Sequence, residues 1–408
     1  MKPLGPVPDG FATKDGELAI GGMSASELAD AAGETPLFVY DRAILDAAMA
    51  RLRLAMPDRL HVNYAIKANP FAPVLHHMKG LVDGFDIASG GELELARAAG
   101  IPAERVSFAG PGKRDTELEA AIRFGATLNC ESAGEADRTL AIADRIGIAP
   151  KMALRVNPNF ELRGSGMKMG GGAKPFGIDS AQVPALAKRL LDAGIDWQGL
   201  HIFTGSQALD ADALIEAQAN VLALAASLTD DIGVALPKLN MGGGFGIPYF
   251  AKDTPVDIEA IGAALKHRFA ALPDAMRDTH FCLELGRYLV GLSGVYLTRI
   301  LDRKTSHGVT YLVTDGGLHH QLAASGNFGT VVRRNYPVAI ASRFGAEATE
   351  EVNVVGCLCT PLDRLADGAM LPRAEVGDLV AVFCAGAYGA TSSPMMFLGQ
   401  GPAREVLV

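Results

Sequence analysis

The sequence predicts an α/β fold, a (β/α)8 barrel of the TIM type, with a second, mostly β domain of sandwich or barrel character. Three observations lead there. Eight short β-rich runs alternate with longer helical patterns from residue 60 onward, an alternation that calls for a parallel sheet with helices outside it. After Glu284 the long helices stop and short strands follow one another. The first ~36 residues are rich in Gly and Pro with short strand-like pieces, which assigns them to the second domain. The predicted boundaries are 37–283 for the barrel, and 1–36 with 284–408 for the β domain.

The elements follow in order. In 61–67 (HVNYAIK), Val62, Tyr64 and Ile66 alternate with His61, Asn63 and Ala65 at the period of a strand, and Asn69-Pro70 breaks the run. Lys67 therefore falls at the C-terminal tip of the first strand. The next strands are 83–87 (DGFDI), 105–109 (RVSFA), 126–130 (ATLNC), 151–157 (KMALRVN), 197–203 (WQGLHIF), 237–241 (PKLNM) and 280–284 (HFCLE). Between them "SGGELELARAAG", "RDTELEAAIRFG" and "SAGEADRTLAIADRIG" carry apolar residues at helical spacing, with a glycine near the end to cap the helix. In the second domain "GVYLTRILDRKTSHGVTYLVTDGG" reads as two strands around a Ser-His-Gly turn. "EVNVVG", "GDLVAVFCAG" and "AREVLV" are further short strands.

Bulk properties narrow the function classes. The chain has 408 residues, 49% of them hydrophobic and only 20% charged, which is the composition of a compact folded protein. Its net charge is −9 and no long basic run interrupts it, so nucleic acid is not an expected partner. The N-terminus lacks the apolar core of a signal peptide, and no stretch is expected to approach the ~20 apolar residues of a membrane span. A cytoplasmic protein with no membrane association is the expectation. The five cysteines, Cys130, Cys282, Cys357, Cys359 and Cys384, include no CxxC pair and read as reduced thiols. "CLC" at 357–359 has the wrong spacing for zinc, so no metal site is expected, while a catalytic role for one thiol stays open.

In barrels of this kind the chemistry sits at the C-terminal strand ends and in the loops that follow. Those ends supply Lys67, Asp86, the "GPGK" loop from Gly110, Glu131, Asn157, Ser206, the triplet Gly242, Gly243 and Gly244, and Glu284 with Arg287. Two readings of Lys67 are open. Held partly desolvated, its amine is a nucleophile suited to a Schiff base; otherwise it is a lysine that snorkels to the rim. "NMGGGFG" exposes successive backbone N–H groups as a phosphate needs, although glycine runs also make plain tight turns. Together, a Schiff-base lysine, a phosphate nest and a carboxylate for a protonated ring nitrogen are what pyridoxal phosphate requires.

On these residues the sequence resembles the fold type III pyridoxal-phosphate decarboxylases, the group of diaminopimelate, ornithine and arginine decarboxylases, over nearly its whole length. Within that group it is most similar to the exosortase-A-system-associated branch and to the butirosin glutamyl-carrier-protein decarboxylase. "YAIKANP" matches the family's lysine motif, which implies that Lys67 bears the cofactor as a Schiff base. "DIASGGEL" implies that Asp86 lies near the cofactor. The glycine triplet, Ser206 and Tyr388 of "GAYG" would hold the phosphate. "ELGR" stands where the family has Glu-Pro-Gly-Arg, which makes Glu284 the partner of the pyridine nitrogen, places Arg287 by the phosphate and includes Gly286 in the site. The change to Leu285 leaves the spacing of carboxylate and guanidinium intact. A carboxylate at the ring nitrogen favours decarboxylation over racemisation, because the related alanine racemases use an arginine there. "GCLCTPLD" implies that Cys359 is the proton donor, reaching the partner subunit's site in a homodimer with shared active sites.

The departures bear on substrate. Where diaminopimelate and ornithine decarboxylases place an acidic residue after the catalytic cysteine to meet a distal ammonium, this chain has Thr360. A hydroxyl does not replace a buried counter-ion. The family's ring-stacking histidine is replaced by Phe203 in "HIFTGSQ", which can still stack. His201, two residues earlier, is either an assistant or a satisfied structural histidine. The insertion "ELRGSGMKMGGGAKPFG" carries Arg163, Lys168 and Lys174, and reads as a lid, a landing site for a carrier protein's arm, or a solvated loop. Asp315, Arg333 and Arg334 are candidate substrate contacts, with surface charge as the alternative for the arginine pair.

The leading expectation is a pyridoxal-phosphate-dependent amino-acid decarboxylase acting through a Schiff base and quinonoid, on a small amino acid or a carrier-protein-bound aminoacyl group. Diaminopimelate decarboxylase proper is the alternative enzyme. A pyridoxal-phosphate carrier protein is the alternative that is not an enzyme, and such proteins resemble the barrel alone.

Overall fold

The computed structural model describes residues 1–326 and 333–408. By its internal contacts the chain divides into two units, one of residues 49–246 and 255–286 and the other of residues 1–48, 247–254 and 287–408. The stretches 37–48 and 247–254, expected within the barrel, cluster with the second of these units.

The first unit is a closed parallel barrel. Its strands are β1 (Leu60–Ala65), β2 (Gly84–Ile87), β3 (Val106–Phe108), β4 (Thr127–Cys130), β5 (Lys151–Asn157), β6 (Asp196–Ile202), β7 (Lys238–Gly243) and β8 (His280–Leu285). Each pairs with the next in chain order, and β8 pairs with β1 to close the ring. All eight predicted strands are present within one or two residues. Two changes touch the site: β1 ends at Ala65, so that Lys67 occupies the single 3₁₀ turn Ile66–Ala68 beyond it, and β7 runs on through Gly243, taking in two of the three glycines.

Both faces of β1 are buried, in two different ways. Val62 and Tyr64 have no exposure, Tyr64 meeting Phe85 of β2 edge-on, while Asn63 faces the interior. That interior is polar: Asn63, Asp86, Ser107, Asn129, Arg155, His201, Asn240 and Glu284 are all buried. Asn129 donates to Ser107 Oγ at 2.6 Å, and strand register sets Arg155 beside His201, His201 beside Asn240, and Glu284 beside Asn63. Buried polar groups of this density belong to a site rather than to a packing core.

The outer helices begin and end on local chemistry. Ser89 and Ser132 cap helices Gly90–Ala98 and Ala133–Ile146 by accepting the backbone N–H of Glu92 and Glu135. Gly125 closes helix Asp115–Phe124 at φ 88°, where a side chain would be strained. Helix Ala211–Ile232 is long and apolar enough, by length and composition, to cross a membrane, which corrects the expectation that no stretch comes near a span. Its buried residues, among them Leu214, Ala217, Val221, Ala225, Leu228 and Ile232, recur every three or four positions, the stripe of a helix packed on a core.

The second unit is mostly β. Strands Gly294–Ser306 and Val309–Thr314 form the expected hairpin, turned by His307 and Gly308, both at positive φ. Its main sheet also contains Val338–Ile340, Glu350–Val355, Arg364–Leu371 and Leu379–Val382, with Leu37–Tyr40 paired to the long first strand and Arg404–Leu407 paired to Leu37–Tyr40. The strand Arg364–Leu371 was not among those read from the sequence, because Asp367 and Gly368 interrupt its pattern.

Candidate active site

The lysine turn is fixed from both sides. Tyr64 Oη donates to Asn69 O at 2.8 Å, and Asn69 Oδ1 accepts from Phe71 N at 3.0 Å, so "KANP" is held as a rigid bend. Gly286 lies against it: a Cβ there would stand 2.8 Å from Ala68 Cβ, so the chain after β8 passes close only because this residue is glycine. Lys67 Nζ is 3.7 Å from Glu284 Oε1 and 5.8 Å from the centroid of Phe203. Its side chain is 41% exposed, so the amine is only partly withdrawn from water.

A cavity of about 180 Å3 opens beside this amine, lined by Lys67, Asp86, Arg155, His201, Phe203 and Glu284 with Ile87, Ala88, Ala109, Gly110, Pro111, Met169 and Phe176. Of the residues singled out from the sequence, Lys67, Asp86, Phe203 and Glu284 are thus brought together. Its electrostatics are uneven. Burial raises the Asp86 carboxyl, and the charge of Glu284 adds to it, to about 7. Burial acts on Glu284 in the same sense, but His201, the Lys67 charge and Arg155 outweigh it and hold that carboxyl at about 2. Burial and neighbouring charge thus move the two buried acids in opposite directions, which is the usual mark of a working site.

Arg155 and Glu131 were not assigned roles from the sequence. Arg155 lies on the inward face of β5 with Ala153 and Asn157, and an arginine at an inward strand position was the available signal. Its Nη1 donates to Glu131 Oε1 at 2.7 Å, and its guanidinium lies 5.2 Å from the Phe176 ring. Glu131 also accepts the backbone N–H of Gly110 and, at 3.1 Å, that of Gly177. One carboxylate thus ties together the loop after β3, strand β5 and the end of the insertion.

That insertion is docked against the barrel. Met167–Lys168 pairs antiparallel with Gly205–Ser206, Met169 N and Gly170 N donate to Thr204 O, and Asn157 binds Gly171 and Gly172. Of its cations, Arg163 pairs with Glu216, and Lys168 pairs with Glu161 at 2.6 Å.

The glycine triplet and Ser206 form a second group. A Cβ on Gly243 would lie 2.0 Å from Glu284 O, one on Gly244 2.6 Å from Gly205 O, and one on Gly242 2.9 Å from Ile202 O. Ala208 N donates to Gly244 O and Gly246 N to Ala208 O, which fixes the bend after β7 beside the loop that carries Ser206.

The remaining candidates lie in the other unit. Arg287 donates to Tyr249 Oη at 2.5 Å, and its guanidinium stands 4.6 Å from the centroid of Tyr388 and 5.4 Å from that of Tyr249. Tyr249, the aromatic in "GIPYF", escaped the sequence reading. Cys357 to Thr360 belong to a loop after strand Glu350–Val355. Cys359 is exposed, and Cys357 donates to Asp315 O at 3.5 Å. The Asp315 carboxylate, read as a substrate contact, is committed to Thr35, to Thr298 Oγ1 at 2.6 Å and to Arg299 N at 2.9 Å. Arg334 stacks 3.6 Å over the Phe250 ring, and Arg333 donates through Nη2 to Leu362 O at 3.3 Å while its Nη1 is buried with no partner among the described residues.

Residues 42–291 match the family described as pyridoxal-dependent decarboxylase, pyridoxal binding domain. The chain belongs to this family. Among curated relatives it is 34% identical over 384 residues to the L-glutamyl-[BtrI acyl-carrier protein] decarboxylase of Niallia circulans, covering 92% of this chain and 89% of that one. It is 32% identical to the diaminopimelate decarboxylase of Archaeoglobus fulgidus, covering 98% and 93%. Among solved structures the diaminopimelate decarboxylase of M. jannaschii, in co-complex with L-lysine, superposes with a TM-score of 0.87 at 26% identity, over 98% of this chain and 93% of that chain. This decarboxylase is a pyridoxal-phosphate-dependent carboxy-lyase of fold type III. Its barrel fits the cofactor on its own terms. Glu284 Oε2, Asp86 Oδ2 and both ring nitrogens of His201 are buried at the cavity with no hydrogen-bond partner among the described residues, and the bend at the end of β7 is so tight that a Cβ on any of its three glycines would meet a backbone oxygen.

Proposed function

We propose that this decarboxylase removes the α-carboxylate of an amino acid or carrier-bound aminoacyl group that lacks a distal ammonium. The observation that carries the reading is the makeup of the cavity beside Lys67. Among the described residues its only acids are Asp86 and Glu284, both near C-terminal strand ends, and its apolar lining includes Met169, Phe176, Ile87, Ala88 and Pro111. A distal ammonium would enter that apolar wall unpaired, which is costly. Thr360 offers none of the charge needed to offset it. The Niallia circulans relative acts, by its name, on a glutamyl group attached to an acyl-carrier protein, and a substrate of that type is the one we favour. Diaminopimelate, the substrate named for the other relatives, is disfavoured on these grounds.

In the proposed mechanism the amine of Lys67 would hold the cofactor. Pyridoxal phosphate, when bound, supplies an electron sink for the pair left as CO₂ departs. Glu284 would meet the ring nitrogen and Phe203 the ring face, the phosphate would be held by Gly242 to Gly244 and Ser206, and Arg287 and Tyr388 are the further candidates for it. Cys359 returns a proton to the α-carbon. Among the described residues no thiol lines the cavity, and Cys359 is exposed on its own unit, which supports delivery from a second copy in a homodimer.

CO₂ release from free glutamate, diaminopimelate, ornithine, arginine and a glutamyl-carrier conjugate tests the substrate reading. Turnover of the conjugate with none of the diamino acids is expected, and robust turnover of any diamino acid would overturn it. For the shared site, mixed Lys67→Ala and Cys359→Ala proteins should recover up to about a quarter of wild-type activity through heterodimers. No recovery after subunit exchange would refute the shared site.

A further inference from the structure

The Glu284 carboxylate is bracketed by two donors of different fate. Oε1 lies 3.7 Å from Lys67 Nζ, and Oε2 lies 3.0 Å from His201 Nε2, at hydrogen-bonding distance though not in line. His201 is 2% exposed and Glu284 7%, so neither can turn to water instead. Lys67 is the amine committed to the cofactor's carbonyl carbon, and a committed amine no longer offers Glu284 a free ammonium. His201 has no competing claim: neither ring nitrogen has a hydrogen-bond partner among the described residues, and neither does Oε2. An ionised carboxylate left without a donor in this interior would take up a proton and lose its charge.

We propose that His201 is a positioning residue for Glu284: as the neutral imidazole it donates Nε2–H to Oε2 and keeps the carboxylate ionised and directed into the cavity once Lys67 is engaged. A small turn of the ring brings the N–H into line. Burial holds the imidazole neutral, and Arg155 from β5 pushes the same way against the opposing charges of Glu284 and Glu131. The other buried acid is served separately, since Asn240 Nδ2 lies 3.5 Å from Asp86 Oδ1. His201 thus adds a direct donor to the more distant charge of Arg155 in keeping this buried carboxylate ionised. The inference rests on the reading that Glu284 faces the ring nitrogen of bound pyridoxal phosphate.

The test uses apoprotein of full length titrated with pyridoxal phosphate, read by the visible band of the bound cofactor, with circular dichroism to confirm folding. In His201→Gln the amide nitrogen takes the place of Nε2 and the affinity and band of wild type should be retained. In His201→Leu the donor is gone, and affinity should fall roughly tenfold, the cost of one charge-assisted hydrogen bond, with the band moving to that of Glu284→Gln. If the leucine variant does not fold, His201→Asn, whose amide stops short of Oε2, is held to the same outcome. Wild-type affinity and band in the donor-free variant, alongside a clear loss in Glu284→Gln, would overturn the role of His201 alone. An unchanged Glu284→Gln would instead overturn the reading beneath it.

Discussion

Gly243→Ala places the sharpest demand on the account of the phosphate cradle. The added Cβ would meet Glu284 O at 2.0 Å, Leu285 Cδ2 at 2.8 Å and Glu284 C at 3.0 Å. Leu285 can turn aside, but the carbonyl is backbone, and Gly243 is paired in register with Glu284 across β7 and β8. Relief requires the two strand ends to part by about 1 Å, since a Cβ and a carbonyl oxygen settle no closer than roughly 3 Å. Overpacking at so rigid a site should cost about 3 kcal/mol of folding stability. The displacement also moves the backbone of Glu284 itself, so cofactor affinity should fall along with stability. Urea unfolding of the apoprotein gives the first quantity, and titration with pyridoxal phosphate the second. Gly134→Ala is the control: it lies in the first turn of helix Ala133–Ile146 with nothing within 4 Å of the new Cβ, and should be neutral or stabilising by up to about 1 kcal/mol. A Gly243→Ala protein within about 0.5 kcal/mol of wild type, at unchanged cofactor affinity, would refute the reasoning, because a backbone clash of this depth cannot be absorbed for less.

Three further outcomes are expected. Asp86, at about 7 in the fold against 3.8 when exposed, binds its proton more tightly folded than unfolded, so it contributes a stability that is full below about pH 4 and lost as pH rises toward 7. Asp86→Asn should remove that decline, seen as urea midpoints that no longer drop between pH 5 and 8; an unchanged slope would contradict the assignment. Glu131→Gln removes the charge that faces buried Arg155 and should destabilise by about 3 kcal/mol in thermal or chemical unfolding, whereas a neutral effect would mean the pair does not hold the three loops. Cys359→Ala should lower kcat by about 10² or more with cofactor binding intact, measured by CO₂ release, and full activity would remove Cys359 from the chemistry.

The barrel was legible because period-2 apolar runs and glycine-capped helices alternate eight times, and every strand came out within a residue or two. Lys67, Asp86 and Glu284 were legible for the same reason: once a strand end is placed, the polar residue at its tip is placed too. The polar interior was harder to see. Arg155 and Glu131 are defined by each other across adjacent strands, at 2.7 Å, and no local pattern announces such a pair. Tyr249 and Arg287, 38 residues apart, meet only through the fold. The insertion was read from its composition as exposed and cationic, but its glycines let the backbone bind Asn157, Thr204 and Glu131, so the part that matters to the cavity is Met169 and Phe176. Asp315 is bonded to Thr298 and Arg299, which a sequence does not distinguish from a carboxylate that stands free.

The central claim is that Lys67 carries the cofactor, and one measurement addresses it directly. The purified protein, reconstituted with pyridoxal phosphate, is reduced with borohydride, digested and mapped by mass spectrometry. The account predicts loss of the visible band and a pyridoxyl-phosphate adduct on the peptide that contains Lys67, absent from Lys67→Ala. A protein that takes up no cofactor, or an adduct fixed on any other lysine, would contradict it.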